Sequence, residues 1–367
     1  MTTTTADNTL EAPISILDED HQEEISGNHT KSESPWLLSR NLDLIFLLGG
    51  FFLVPIPLLI KNGFGLSVTM VNLIITILIG GPHLFATYTY TFMEKKFWKR
   101  HPFYATSALL IPPTVIYLGI NAFGLLITIF FSWASIHLLH QTCYIADCYR
   151  KKSGDTSPFS HWEKLIDYAI VFSSIYPVAT YKIVNGTFDV AGQSIKIPFV
   201  TGNPFVFDFV IAFFGIFLML FIVKSIWEYK AGVIQWPKTI LISLTVFVAI
   251  LIPVPKDLDV AFQGFNTWHS LQYLALAWWV NVMRKERGDI SSPLVNGISG
   301  RGFFKTLGFY AICIIPTVGF LTVVALLSKY MGLPYNKCYF TVTLSGLLIH
   351  YYFDHWLFTK TKAIVPV

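Results

Sequence analysis

The stretch Ser132–Cys148, SWASIHLLHQTCYIADC, closes an apolar run that begins near Ala122. A run of that length reads as a membrane helix, yet it carries His137, His140, Gln141 and Asp147. His137 and His140 are three residues apart and Gln141 is four from His137, so the spacing sets all three on one helical face. Ionisable groups at membrane depth are costly and normally turn toward a bundle interior, which makes this face a candidate functional site.

The rest of the chain supports a membrane setting. Of 367 residues, 53% are hydrophobic and 13% charged, with 32 Phe, 17 Tyr and 10 Trp. Soluble domains carry about 25% charged residues. The N-terminal segment differs: its first 34 residues hold eight Asp/Glu against Lys31 alone and show no apolar period. Residues 1–35 therefore read as a disordered acidic tail. With no basic region ahead of an apolar core, a cleavable signal peptide is not expected. Beyond that tail, 25 Lys/Arg face 14 Asp/Glu. The excess lies in short loops, where it meets lipid headgroups and sets topology, so nucleic acid is not an expected partner. Cys143, Cys148, Cys313 and Cys338 lie in or beside apolar runs without CxxC pairing, which argues against a disulfide framework or zinc knuckle.

Ten apolar runs follow, near 41–61, 66–93, 102–120, 122–147, 163–184, 204–227, 238–255, 258–283, 304–329 and 337–358. Basic loops such as EKKFWKRH and YRKKSGD alternate with basic-poor ones, which predicts both termini on the cytoplasmic side. The expected architecture is an all-α polytopic bundle of about ten transmembrane helices over residues 36–360, with a short cytoplasmic tail at 361–367. The outer loop near 185–203 reads as a small hairpin or lid.

Six of the ten histidines fall in these runs: His83, His137, His140, His269, His350 and His355. At about 1.5 Å per residue from the inner ends of their helices, the first five lie roughly 13 to 22 Å above the inner boundary. His355 is shallower and on another face. A lone intramembrane histidine is ordinarily a hydrogen-bonded packing residue; five at one depth on four helices point to a metal site. Neutral imidazole is the commonest metal ligand and suits iron, copper or zinc, and scarce carboxylate argues against magnesium or calcium. Gln141 and Gln272 are candidates to orient the ligands, and Asp147, Tyr273 and Asp354 to act catalytically or relay protons. Asp147 and Asp354 also fit interface or capping roles, and the glutamines and Tyr273 fit interhelical hydrogen-bond glue.

Three motifs carry a resemblance. GGPH at Gly80–His83, the His137/His140 pair and WHSLQY at Trp268–Tyr273 resemble motifs of the Brp/Blh-type β-carotene dioxygenases. That resemblance implies a polytopic protein of a bacterial plasma membrane, non-haem Fe(II) held by histidines, and cleavage of a carotenoid by O2. The glycine expected after the Pro-His pair is Leu84 here, and Tyr273 stands where a fourth histidine is expected, a vacancy left to His350 or the second member of the HxxH pair. The expected activity is oxidation or oxygenation of a lipid-soluble substrate, such as an isoprenoid or acyl chain, entering from the bilayer. A b-type haem electron-transfer protein and a proton-coupled membrane transporter are the alternatives.

Overall fold

The computed structural model describes residues 34–154 and 160–357, with side chains to Asp354 in the last helix. The acidic tail up to Glu33, the segment 361–367 and the His355 side chain lie outside the described residues. Among the described residues the regular structure is helical apart from one hairpin. In order come α1 (Arg40–Phe64) and α2 (Val68–Thr89), a short α3 (Lys95–Arg100), then α4 (Pro102–Asn121) and α5 (Phe123–Lys152). Next are α6 (Ser160–Ser173), α7 (Tyr176–Val184), β1 (Asp189–Val190) and β2 (Gln193–Ser194). The remainder is α8 (Pro204–Lys230), α9 (Trp236–Leu251), α10 (Leu258–Glu286), α11 (Pro293–Ile298), α12 (Phe303–Met331) and α13 (Tyr335–Leu357).

Six of these helices, α1, α2, α4, α5, α8 and α12, are long and apolar enough to cross a membrane among the described residues. The chain is thus a multi-pass integral membrane protein, but the sequence-based count of ten is too high by that standard. The reason is physical. The run at 163–184 breaks into α6 and α7 ahead of Pro177, and α9 has only 16 residues. The helices α10 and α13 are long, but they carry Gln263, Asn266, His269, Gln272 and Asn281, and Thr341, Thr343, His350 and Asp354. Residues can be polar where the helix is enclosed by others. Most of α10 is buried, whereas α8 buries only Phe214, Phe221, Lys224 and Glu228, and α12 only Phe309, Cys313, Thr317 and Val324. Lipid-facing helices are uniformly apolar; enclosed ones are not.

Irregular backbone brings α1 and α2 close to α10 and α12. In α1 a wide-turn segment, Asp43–Leu48, passes into a tight one, Gly49–Leu53. The carbonyl of Leu47, at that junction, accepts from Trp268 Nε1 at 3.0 Å and Gln272 Nε2 at 2.8 Å. Side-chain donors can satisfy backbone groups where a membrane helix departs from the regular ladder. In α2 a second wide turn, Thr76–Gly80, precedes Gly81-Pro82-His83; such bulges recur at functional sites. A Cβ on Gly81 would lie 2.1 Å from the Thr317 side chain of α12, and one on Gly264 would lie 2.1 Å from the Val54 carbonyl oxygen. These glycines set the helix separations. The hairpin pairs Asp189 with Ser194 and Val190 with Gln193. Its turn residues Ala191 and Gly192 both take positive φ, as the favoured two-residue hairpin turn requires. The Asp259 carboxylate accepts from the Ala191 amide at 3.0 Å, tying the hairpin to the start of α10.

Gly264→Val forces α1 away from α10, since the obstructing atom is backbone. The expected cost is roughly 1–3 kcal/mol, read as a lower thermal-aggregation midpoint in detergent. Gly215→Ala, where the added carbon meets nothing within 4 Å, leaves the midpoint nearly unchanged.

Candidate metal centre

Four histidines from four helices converge: His83 of α2, His137 of α5, His269 of α10 and His350 of α13. One ring nitrogen from each lies within 4.8 Å of the others. All four residues are buried, His350 completely. The rings meet edge to face, with centroids 4.3 Å apart for His83–His350, 4.8 Å for His83–His269, 5.0 Å for His137–His269 and 5.1 Å for His137–His350. Metal–imidazole bonds of about 2.1 Å leave no two ligand nitrogens more than about 4.2 Å apart, so the group would draw together on holding an ion.

Asp354 stands beside the rings. Its Oδ1 accepts from Tyr273 at 2.5 Å, Thr87 at 3.1 Å and Tyr90 at 3.1 Å. The Tyr90 and Tyr273 hydroxyls also touch each other. Its Oδ2 faces His350 Nε2 at 3.2 Å and His137 Nε2 at 3.8 Å. The Thr87 hydroxyl has one proton, and a carboxylate only accepts. With Thr87 donating to Asp354, the Nδ1–H of His350 donates to Thr87 Oγ1 at 2.5 Å. That tautomer leaves a lone pair on Nε2, aimed at the centre and facing a carboxylate oxygen. Both ring nitrogens of His269, Nε2 of His350 and Oδ2 of Asp354 are buried with no hydrogen-bond partner among the described residues. Converging lone pairs in an apolar interior are unfavourable unless a cation is held between them. The donor set therefore fits a metal ion, and at His350 the ring is oriented from outside by Thr87, as ligating imidazoles require.

The remaining candidates sit differently. His140 is half-buried and stands outside the group; three residues turn the helix by 300°, which carries its ring off the axis that His137 faces. Asp147 stands apart from the four rings. Its Oδ2 accepts from Lys164 at 2.6 Å and Tyr168 at 2.7 Å, and ten residues of helix, about 15 Å, separate it from His137. Gln141 and Gln272 do not hold ring nitrogens. Gln141 Nε2 donates to the His269 carbonyl at 3.0 Å and to Gln272 Oε1 at 3.1 Å, so the pair braces the backbone beneath His269. Tyr273 packs edge-on against His83, with centroids 4.8 Å apart.

Three features escaped the sequence reading. Tyr90 lies seven residues from His83, on the same helical stripe, and that spacing could have found it. Tyr351 stacks on His137 with centroids 4.0 Å apart; nothing in its spacing marked it. Third, Lys224 and Lys238 are buried in an ion network. Arg150 pairs with Asp167 at 2.7 Å, Lys238 with Asp167 at 3.5 Å and with Glu228 at 3.6 Å, and Lys224 with Glu228 at 3.3 Å and with Asp167. The Lys224–Glu228 pair at i,i+4 was the available signal.

No protein-family model, curated protein or solved structure matches this chain. A buried four-histidine cluster in a bundle of membrane helices fits a metal-dependent membrane oxidoreductase in general.

Asp354→Asn and Thr87→Val each lower metal affinity about 10- to 100-fold, measured by competition with a chelator in detergent. Asp147→Asn leaves the affinity unchanged. Equal losses in all three would show that the carboxylate acts on stability, not on the centre.

Proposed function

We propose that the protein is an integral-membrane, non-haem iron oxidoreductase or oxygenase acting on a lipid-soluble substrate. His83, His137, His269 and His350 would hold the ion, and Asp354 would stand at the edge of its coordination sphere. The observation that carries this reading is the convergence of ring nitrogens from four buried imidazoles beside a carboxylate oxygen that has no hydrogen bond among the described residues. Fe(II) fits an all-nitrogen set with a carboxylate and exchangeable positions; copper and zinc accept the same imidazoles. An iron ion held there supplies one-electron chemistry with O2.

This chain's own residues do the rest. Thr87 fixes the His350 tautomer, and Tyr273 and Tyr90 hold Oδ1 of Asp354, which leaves Oδ2 to take up or release a proton at the centre. The enclosing helices exclude bulk water and present an apolar lining, which suits a lipid-soluble substrate. The three motifs resembling Brp/Blh-type dioxygenases favour iron and O2 over other metals, with His350 in the place of the missing fourth histidine. The basic loops support cytoplasmic termini.

A b-type haem has less support. The imidazoles pack edge to face against one another and against Tyr273, leaving no slot for a planar macrocycle between two axial rings. A proton-coupled transporter would use the same buried carboxylate, but it gives the four converging ring nitrogens no role.

Elemental analysis of protein purified in mild detergent tests the proposal. Stoichiometric iron without a Soret band is expected in the wild type. Both His137→Ala and His269→Ala lose it, and His161→Ala, a change outside the cluster, keeps it. Negligible metal in the wild type, or content unaltered by both cluster variants, removes the basis of the reading.

A further inference from the structure

A narrow cleft runs from His83 along the helices that carry the histidines. On α2 its wall is Asn72, Thr76, Gly80 and His83, spaced four, four and three, which is one helical face. Asp259, Gln263 and Asn266 descend α10 in the same way toward His269, and Tyr339, Thr343 and Leu347 descend α13 toward His350. From Asn72 to His83 the helix rises about 16 Å. The shaft thus follows these three helices, and His83 is the one histidine of the cluster that lines it.

Its chemistry changes along that length. The far end is polar: the Thr76 and Tyr339 hydroxyls bond at 2.6 Å. Beside them Asn72, buried at 8% exposure, has a side-chain oxygen with no hydrogen-bond partner among the described residues. Toward His83 the lining is mainly Leu84, Phe130, Leu344 and Leu347, with Asn266 beside Gly80. Part-way along, the Phe131 and Phe262 rings, centroids 4.9 Å apart, stand between the shaft and a second, apolar chamber. In that chamber the Ser132 and Ser135 hydroxyls are spent on carbonyls of their own helix.

We infer that the shaft takes a slender single-chain lipid with a hydroxyl end group. The hydroxyl donates to the Asn72 side-chain oxygen, and the chain runs toward His83 at the edge of the cluster. The inference rests on the oxidoreductase reading above and narrows its substrate class. An unpaired buried acceptor asks for a donor, and a buried polar site rejects an analogue lacking it far more strongly than an apolar pocket rejects a missing methylene. The Asn72 end therefore acts as an anchor. It fixes which part of the chain reaches His83, about 16 Å from the hydroxyl.

The test uses the full chain in lipid nanodiscs, with octadecanol carrying a mid-chain diazirine and the matched octadecane as probes. After irradiation and peptide mapping, the alcohol labels the lower shaft, around Leu84 and Leu347, several-fold more than the alkane. Asn72→Leu and the milder Thr76→Val each remove that preference. Equal labelling by alcohol and alkane, labelling confined to the lipid-facing α8 and α12, or a preference retained in both variants overturns the inference. Metal content measured on the same samples separates the two readings. Metal without an alcohol preference defeats the shaft alone; a preference without metal supports the shaft and defeats the metal centre.

Discussion

Nitrogen lone pairs have nowhere to go inside an apolar bundle. Four imidazoles buried on four helices, with a carboxylate oxygen 3.2 Å from one of them, make a centre that a bound cation would stabilise. Everything nearby follows from holding that arrangement. Thr87 decides which His350 nitrogen faces inward, three hydroxyls crowd onto the other oxygen of Asp354, and two glutamines brace the backbone under His269. The polar residues of α10 and α13 are therefore a consequence of enclosure. They can exist because α1 and α2 pack over α10, and α4 and α12 over α13.

Close approach of the helices is the second requirement, and it rests on backbone departures. The wide turn before Gly81 and the pairing of Gly81 with Thr317 bring α2 against α12. Gly264 lets α10 touch the Val54 backbone, and Trp268 and Gln272 then satisfy the Leu47 carbonyl that the irregular α1 presents. The sequence GGPH is thus both a ligand motif and a packing motif.

Much of the centre was legible because membrane helices make depth readable from residue number. His83, His137, His269 and His350 stand out as costly residues at one level, and Asp354 follows by helical spacing from His350. Azimuth was less legible. His140 and Asp147 share a stripe with one another, yet small rotations accumulate, and the stripe leaves the bundle axis for α6, where Lys164 and Tyr168 meet Asp147. The number of spans was overcounted because hydrophobicity was read as lipid exposure, when in α10 and α13 it reflects packing. Long-range partners such as Thr87 with Asp354, 267 residues apart, have no local signature at all.

The ion network around Asp167 explains how one helix can serve two polar clusters. Arg150 lies thirteen residues beyond His137 on α5, about 20 Å along the axis, and pairs with Asp167 of α6 while Lys224 and Lys238 bring in α8 and α9. Buried ion pairs add little net stability, because desolvation offsets attraction. What such a network can fix is rotation and register: a turn of α5 that displaced His137 would also strand Arg150 against unpaired carboxylates. Pinned at its C-terminal end, α5 has its rotation set independently of any ion at His137, which is the preorganisation a binding site needs. The charges placed far from the chemistry thus act on it through the stiffness of a single helix.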